Sequence, residues 1–229
     1  MSTRITRTHP RISINKLGEY VTARPRRRRR VIHDQKYPPT FQVTRYNQAQ
    51  SAMTKFFANA GDDKLILETK DALANAEPKS TWDAERIRSC NQALDSFLEF
   101  YDPTLIEGYE IEVGDPHPPK LEVAGVQISV RPDIILRGTD RKGNSTVGAI
   151  KFYIAKTKPL DQESGSIIAT SVHQYIDHFS SDETKAPPKA SMVVDVFAQK
   201  IYHAPRAYIS RRKDIEAACE EVARAWSTA

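Results

Sequence analysis

Two neighbouring apolar stretches carry the groups best placed to do chemistry. The first runs from Val126 to Leu136 and holds Arg131-Pro132-Asp133 at its middle. The second runs from Val147 to Ile154 and holds Lys151. A polar turn with two glycines, Gly138 to Ser145, separates them, so the two are expected to be adjacent strands. Side chains alternate along a strand, so Ile150, Phe152 and Ile154 mark one buried face and Val147, Ala149, Lys151 and Tyr153 share the other. That second face is also largely apolar. A lysine on it needs an anion, a carboxylate or a pocket to keep its charge. Asp133 reads either as the plain end of a strand or as the acid of a site.

The elements that must position these groups follow from periodicity. Residues 1–9 are expected to lack order, Ile12 to Val21 forms a short apolar patch, and Tyr37-Pro38-Pro39 breaks the chain. Tyr46, Ala49, Met53, Phe56 and Phe57 share one helix face, with Gly61 at the end. A second short helix covers Lys64 to Ala76. Ser80 or Thr81 can cap the next helix, whose stripe is Ile87, Cys90, Leu94, Phe97, Leu98 and Tyr101. The period then falls to two, at Tyr109, Ile111 and Val113. Leu121 to Val123 and Val126 to Ile128 flank Ala124-Gly125, a tight hairpin turn. A helix is expected over Ser164 to Phe179, with Ile168, Val172, Tyr175, Ile176 and Phe179 inward. A buried strand over Met192 to Phe197, an edge strand at Ile201 to His203 and a helix over Ser210 to Trp226 complete the order. The last helix turns Ile215, Cys219, Val222 and Trp226 inward. The pattern from residue 81 onward is that of an α/β sandwich.

With Pro132-Asp133 and Lys151 in that order of elements, the chain resembles the PD-(D/E)XK nuclease superfamily, restriction-endonuclease-like and RecB-like. The resemblance covers about residues 81–226. It implies an αβββαβ core, with a mixed central sheet flanked by helices. It also implies a metal site for Mg²⁺ or Mn²⁺, hard cations that prefer oxygen ligands. Asp133 corresponds to the family's first acid, and the Ile150 carbonyl to a further ligand. Lys151 corresponds to the lysine that steadies charge at the phosphate. The second acid would fall at position 149, which here is Ala149. Glu110 and Glu112 on the first strand, or Glu99 on the helix before it, are the candidates to replace it. RecB-like members carry Gln-x-x-x-Tyr on the following helix, and Gln174 and His178 stand at that spacing with histidine in place of tyrosine. His33 corresponds to a histidine upstream of the core in some RecB-like nucleases.

Charge is unevenly placed. Residues 1–36 hold eleven Lys or Arg against two acids, a net +9, while the rest holds 23 bases against 27 acids, a net −4. Arg26, Arg27, Arg28, Arg29 and Arg30 form an unbroken basic run that suits a nucleic-acid backbone. Three segments are therefore expected: a basic, partly disordered arm over 1–36, a helical extension over 37–80 and the nuclease-like domain over 81–229. Cys90 and Cys219 fall at apolar helix positions and are expected to be buried thiols. No apolar run spans a bilayer, and a cytoplasmic protein is expected. The expected function is metal-dependent cleavage of DNA. The alternative is a catalytically degenerate module that binds nucleic acid or a protein partner, including a second copy of itself.

Overall fold

Residues 5–38, 45–181 and 183–229 are described by a computed structural model. Residues 1–4 and Pro39 of the expected break lie outside them. The apolar patch after Pro10 forms more than one helical turn. Strand β1 (Arg11–Ser13) leads directly into helix α1 (Ile14–Thr22), capped by the Ser13 hydroxyl, which accepts from the Lys16 peptide N–H. Pro25 then opens helix α2 (Pro25–Lys36), which contains all five consecutive arginines. Pro at the first helical position costs nothing, because its missing N–H would have had no partner there.

Helices α3 (Asn47–Ala58), α4 (Lys64–Ala74) and α5 (Thr81–Phe100) follow. Ser80 is the cap of α5, accepting from the Asp83 N–H. The expected stripes of α3 and α5 meet in a cluster of Phe56, Phe57, Phe97, Tyr101 and Phe152, with ring centroids between 4.6 and 6.1 Å apart. Fully burying one such side chain contributes roughly 1.5–3 kcal/mol. The cluster fastens α3 and α5 to one face of the main sheet.

That sheet has five strands in the order β2-β5-β6-β7-β8. They are β2 (Glu110–Val113), β5 (Ile134–Thr139), β6 (Ser145–Tyr153), β7 (Ser191–Asp195) and β8 (Lys200–His203). Strands β2, β5 and β6 are antiparallel, β7 lies parallel to β6 after a helical crossover, and β8 is again antiparallel. The crossover is helix α6 (Gln162–Phe179), opened by a capping box between Asp161 and Ser164. Helix α7 (Tyr208–Trp226) closes the chain, with Ile215, Cys219, Val222 and Trp226 buried as expected. Burial pushes the Cys219 thiol up to about 12, as suits an inert core cysteine. Phe179, expected inward, is largely exposed because it sits in the last turn of α6, beyond the covering elements.

One expected strand is two. Strands β3 (Leu121–Val123) and β4 (Val126–Ser129) form the predicted hairpin, with positive φ at both Ala124 and Gly125. They do not continue into β5. Strand β4 instead accepts β1 as a parallel neighbour, giving a separate three-stranded sheet, β1-β4-β3. The chain turns at Arg131, φ 50°, and Pro132 before entering the main sheet. Proline has no N–H to give to a ladder, so the break falls where the alternation of side chains continues unmarked.

Packing joins elements from all three expected segments. One core lies between the sheet and α3, α4 and α5; the other holds α6, α7, the small sheet and residues of β1, α1 and α2. Residues 11–36 are therefore part of the second core rather than a loose arm, and α3 of the extension covers the first.

Two backbone and side-chain details generate tests. A Cβ on Gly114 would stand 2.0 Å from the Pro132 carbonyl oxygen, a backbone atom that cannot rotate away. Gly114→Ala is expected to lower stability by about 2 kcal/mol in chemical denaturation; an unchanged midpoint would mean that this approach is not tight. The buried His173 donates from Nε2 to the Ala186 carbonyl at 2.8 Å and accepts from Arg212 at Nδ1 at 3.0 Å, while Asp177 pairs with Arg212 and Tyr208 lies against the ring. Burial, reinforced by the Arg212 charge, holds this imidazole below its ordinary value of 6.5. The unfolded chain therefore takes up the proton first. Stability is full above pH 6.5 and falls as pH drops below it, until the folded imidazole is protonated too. His173→Gln is expected to flatten that fall in denaturation midpoints measured between pH 8 and pH 5.

Candidate functional site

The register of the main sheet brings the acid and the lysine together. Ile134 stands opposite Ile150, and extending that antiparallel register by one residue sets Asp133 opposite Lys151. The Lys151 ammonium donates to Asp133 Oδ2 at 2.8 Å, and the Phe152 N–H donates to the same oxygen at 2.7 Å. The other oxygen, Oδ1, accepts from the Gln50 side-chain amide, reaching in from α3. The pair is nearly withdrawn from water, with side chains 12% and 8% exposed for Lys151 and Asp133. Three donors, one of them the counter-charge, therefore hold a buried carboxylate, which is what a buried charge requires. Position 149 completes the description: Ala149 is fully buried against the α6 core and offers no donor atom.

Above this pair opens a cleft of about 820 Å³. Its walls come from four separated parts of the chain. Arg7, Arg11 and the start of α1 form one side, and Asn47, Gln50, Ser51, Thr54 and Lys55 of α3 form another. The loop Val113–Pro116 and the bend Ser129–Asp133 close it, with Lys151 at the floor. Five basic side chains line it (Arg7, Arg11, Lys55, Arg131 and Lys151) against two acids, Asp115 and Asp133. Lys151 and Asp133 neutralise one another, so the cleft carries a net +3. None of Arg7, Arg11, Lys55 and Arg131 has an acid partner among the described residues. Burial depresses the Arg7 guanidinium below its usual range, and the nearby Arg11 charge depresses it further. Arg131 is exposed and holds φ at 50°, a strained value for a bulky residue. Strain of this kind gathers at functional sites.

The remaining expected residues lie elsewhere. Glu110 and Glu112 are exposed on the outer strand β2, and Glu112 accepts from Arg137 at 2.7 Å. Glu99 accepts from Gln199. Gln174 and His178 do share a stripe of α6, but neither lines the cleft; His178 is exposed and rests edge-on against Phe179. His33 lies against Tyr37 on α2, outside the cleft. The Ile150 carbonyl accepts the Asp133 peptide N–H at 2.9 Å. Of the five arginines, Arg27 pairs with Glu19 at 2.6 Å, Arg28 with Glu221 at 3.0 Å and Arg30 with Asp34 at 3.0 Å, so these are partly structural; none lines the cleft. The α2 run is thus a surface apart from the site.

This donor set falls short of the expected metal centre. A divalent cation of this type takes several hard oxygens. Here both Asp133 oxygens are engaged by nitrogen donors, position 149 has none, and the glutamates proposed to replace it stand away from the cleft. Among the described residues no three His, Cys, Asp or Glu side chains gather to hold a metal ion. No family model matches the chain, and no curated protein matches it either.

Sequence reasoning did not reach Gln50, Arg7, Arg11, Lys55, Arg131 or Asp115. Arg131 had no local signal, since a place before proline favours extended backbone and its φ is 50°. Gln50 had none, because it meets Asp133 across 83 residues of chain.

The pair at the floor is open to test. Lys151→Met leaves the Asp133 carboxylate buried beside amides alone and is expected to cost about 3–5 kcal/mol. Adding Asp133→Asn should restore part of that loss in a double-mutant cycle read by denaturation. Simple additivity would show that the two side chains are not coupled.

Proposed function

We propose that this chain is a nucleic-acid-binding module on a restriction-endonuclease-like core whose nuclease site has lost its chemistry. The element order α5-β2-β5-β6-α6-β7, interrupted by the β3–β4 hairpin between β2 and β5 and with β7 parallel to β6 after the α6 crossover, supports the fold part of this reading. The position of Asp133 and Lys151 on adjacent strands supports the descent of the site from a nuclease centre. The observation that carries the function is the cleft. Four basic side chains without acid partners converge over a lysine–aspartate pair that is already closed on itself. Such an arrangement attracts phosphates by charge, and it leaves no free carboxylate pair to organise a cation.

Binding of this kind releases counterions and weakens with salt. Anisotropy titrations with single- and double-stranded DNA and RNA are expected to give a log K against log[salt] slope of about −2 to −3, following the net three positive charges of the cleft. Salt-insensitive binding, or none, would overturn the reading. The same oligonucleotides incubated with Mg²⁺ or Mn²⁺ should remain intact. Cleavage by the wild type that Asp133→Asn abolishes would replace this proposal with that of an active nuclease.

A further inference from the structure

We infer that the cleft is built for a phosphomonoester, the terminal phosphate of a nucleic-acid strand or of a free nucleotide, rather than for a run of backbone diesters. This rests on the nucleic-acid reading and narrows it. Size is the first observation. A volume of about 820 Å³ falls among pockets that enclose small ligands, roughly 300–1,000 Å³, and admits a few nucleotides rather than the side of a duplex.

Charge is the second. Once Lys151 and Asp133 are set against each other, the cleft keeps an excess of three positive charges. A diester carries one negative charge, whereas a monoester carries about −1.5 to −2 at neutral pH. A terminal monoester with one adjoining diester would match the excess. Arg7 and Arg11 lie close enough for the charge of one to depress the other, and a dianion between them would relieve that repulsion.

The third observation is how firmly the donors are held before any ligand arrives. The Arg7 peptide N–H donates to the Lys36 carbonyl at 2.9 Å, and its guanidinium to the Gln35 carbonyl at 3.0 Å, so the last turn of α2 aims this side chain. The Arg11 backbone is fixed by the β1–β4 ladder. Two helices also begin at the cleft: α1 at Ile14, whose Lys16 N–H is already taken by the Ser13 cap, and α3 at Asn47, which has no side-chain cap and no acid in its first turn. Free N–H groups at a helix start favour an anion. Arginine forks bind phosphate oxygens two at a time, which suits a terminal group with three free oxygens.

The test uses the whole chain and one 12-nucleotide single strand prepared in three forms: 5′-phosphorylated, 3′-phosphorylated and with hydroxyls at both ends. At fixed salt, one phosphorylated form is expected to bind at least tenfold more tightly than the hydroxyl form. Competition by a nucleoside monophosphate then separates the two sources. Displacement at equal concentration points to a free nucleotide, and displacement only at great excess points to a strand end. Either result supports the monoester. Equal affinity for all three forms would overturn this inference and leave the nucleic-acid reading standing; absence of binding by every form would remove both. Arg11→Gln and Arg131→Gln, each checked for an unchanged denaturation midpoint, are expected to abolish the preference, the phosphorylated form losing at least tenfold more affinity than the hydroxyl form loses. A preference that survives both substitutions would also overturn the inference.

Discussion

An ammonium group on a strand buried from both sides sets the terms for everything around it. Strand β6 is the third of five, with one core packed on each face, and Lys151 is the charge it must accommodate. In a low-dielectric surround such a charge needs a counter-charge, and that counter-charge needs its own remaining lone pairs filled. Asp133 supplies the first requirement. The Phe152 N–H and the Gln50 amide supply the second. Helix α3 is consequently committed to its place by a polar contact as well as by the aromatic cluster beneath it. The bend at Arg131 and Pro132 is likewise committed, since it delivers Asp133 to the end of β6.

The same pair also decides where the free positive charge of the cleft lies. With alanine at 149 the ammonium and the carboxylate satisfy each other. The positive potential above them then comes from other residues, chiefly from the N-terminal segment and from α3. The basic character of the chain thus divides into two regions with different duties. The α2 arginines are partly consumed in holding that helix to Glu19 and Glu221, whereas the cleft arginines meet no acid among the described residues.

Much of the framework was legible because it is written locally. Spacings of three and four gave α3, α5 and α7 with nearly the right faces, and alternation gave β2, the β3–β4 hairpin and β6. The capping serine of α5 and the buried cysteines were legible for the same reason. What failed was whatever depends on distant chain. The alternation through Val126 to Leu136 conceals a change of sheet, since both halves bury the same kinds of side chain. The arginine run suggested a loose arm, because nothing near it announces Glu221, which lies 193 residues from Arg28. At the site, the opposed acid and lysine were readable from strand order. The cleft over them was not, as its walls are drawn from segments that only the complete fold brings together.

That reliance on distant partners bears on how the molecule comes to be made. Strand β1 can form its ladder only with β4, more than a hundred residues later. Tyr20 waits for Glu221, 201 residues away, and Lys36 for the carbonyl of Trp226, 190 residues away. Contacts of such long range close slowly, because loop entropy is lost before any bond is gained. The N-terminal helices therefore spend synthesis without their permanent neighbours, and α2 carries its arginines at its own positive end, where the helix dipole opposes them. On the ribosome α2 therefore keeps Arg28 without Glu221, and Lys36 without the Trp226 carbonyl, until α7 emerges.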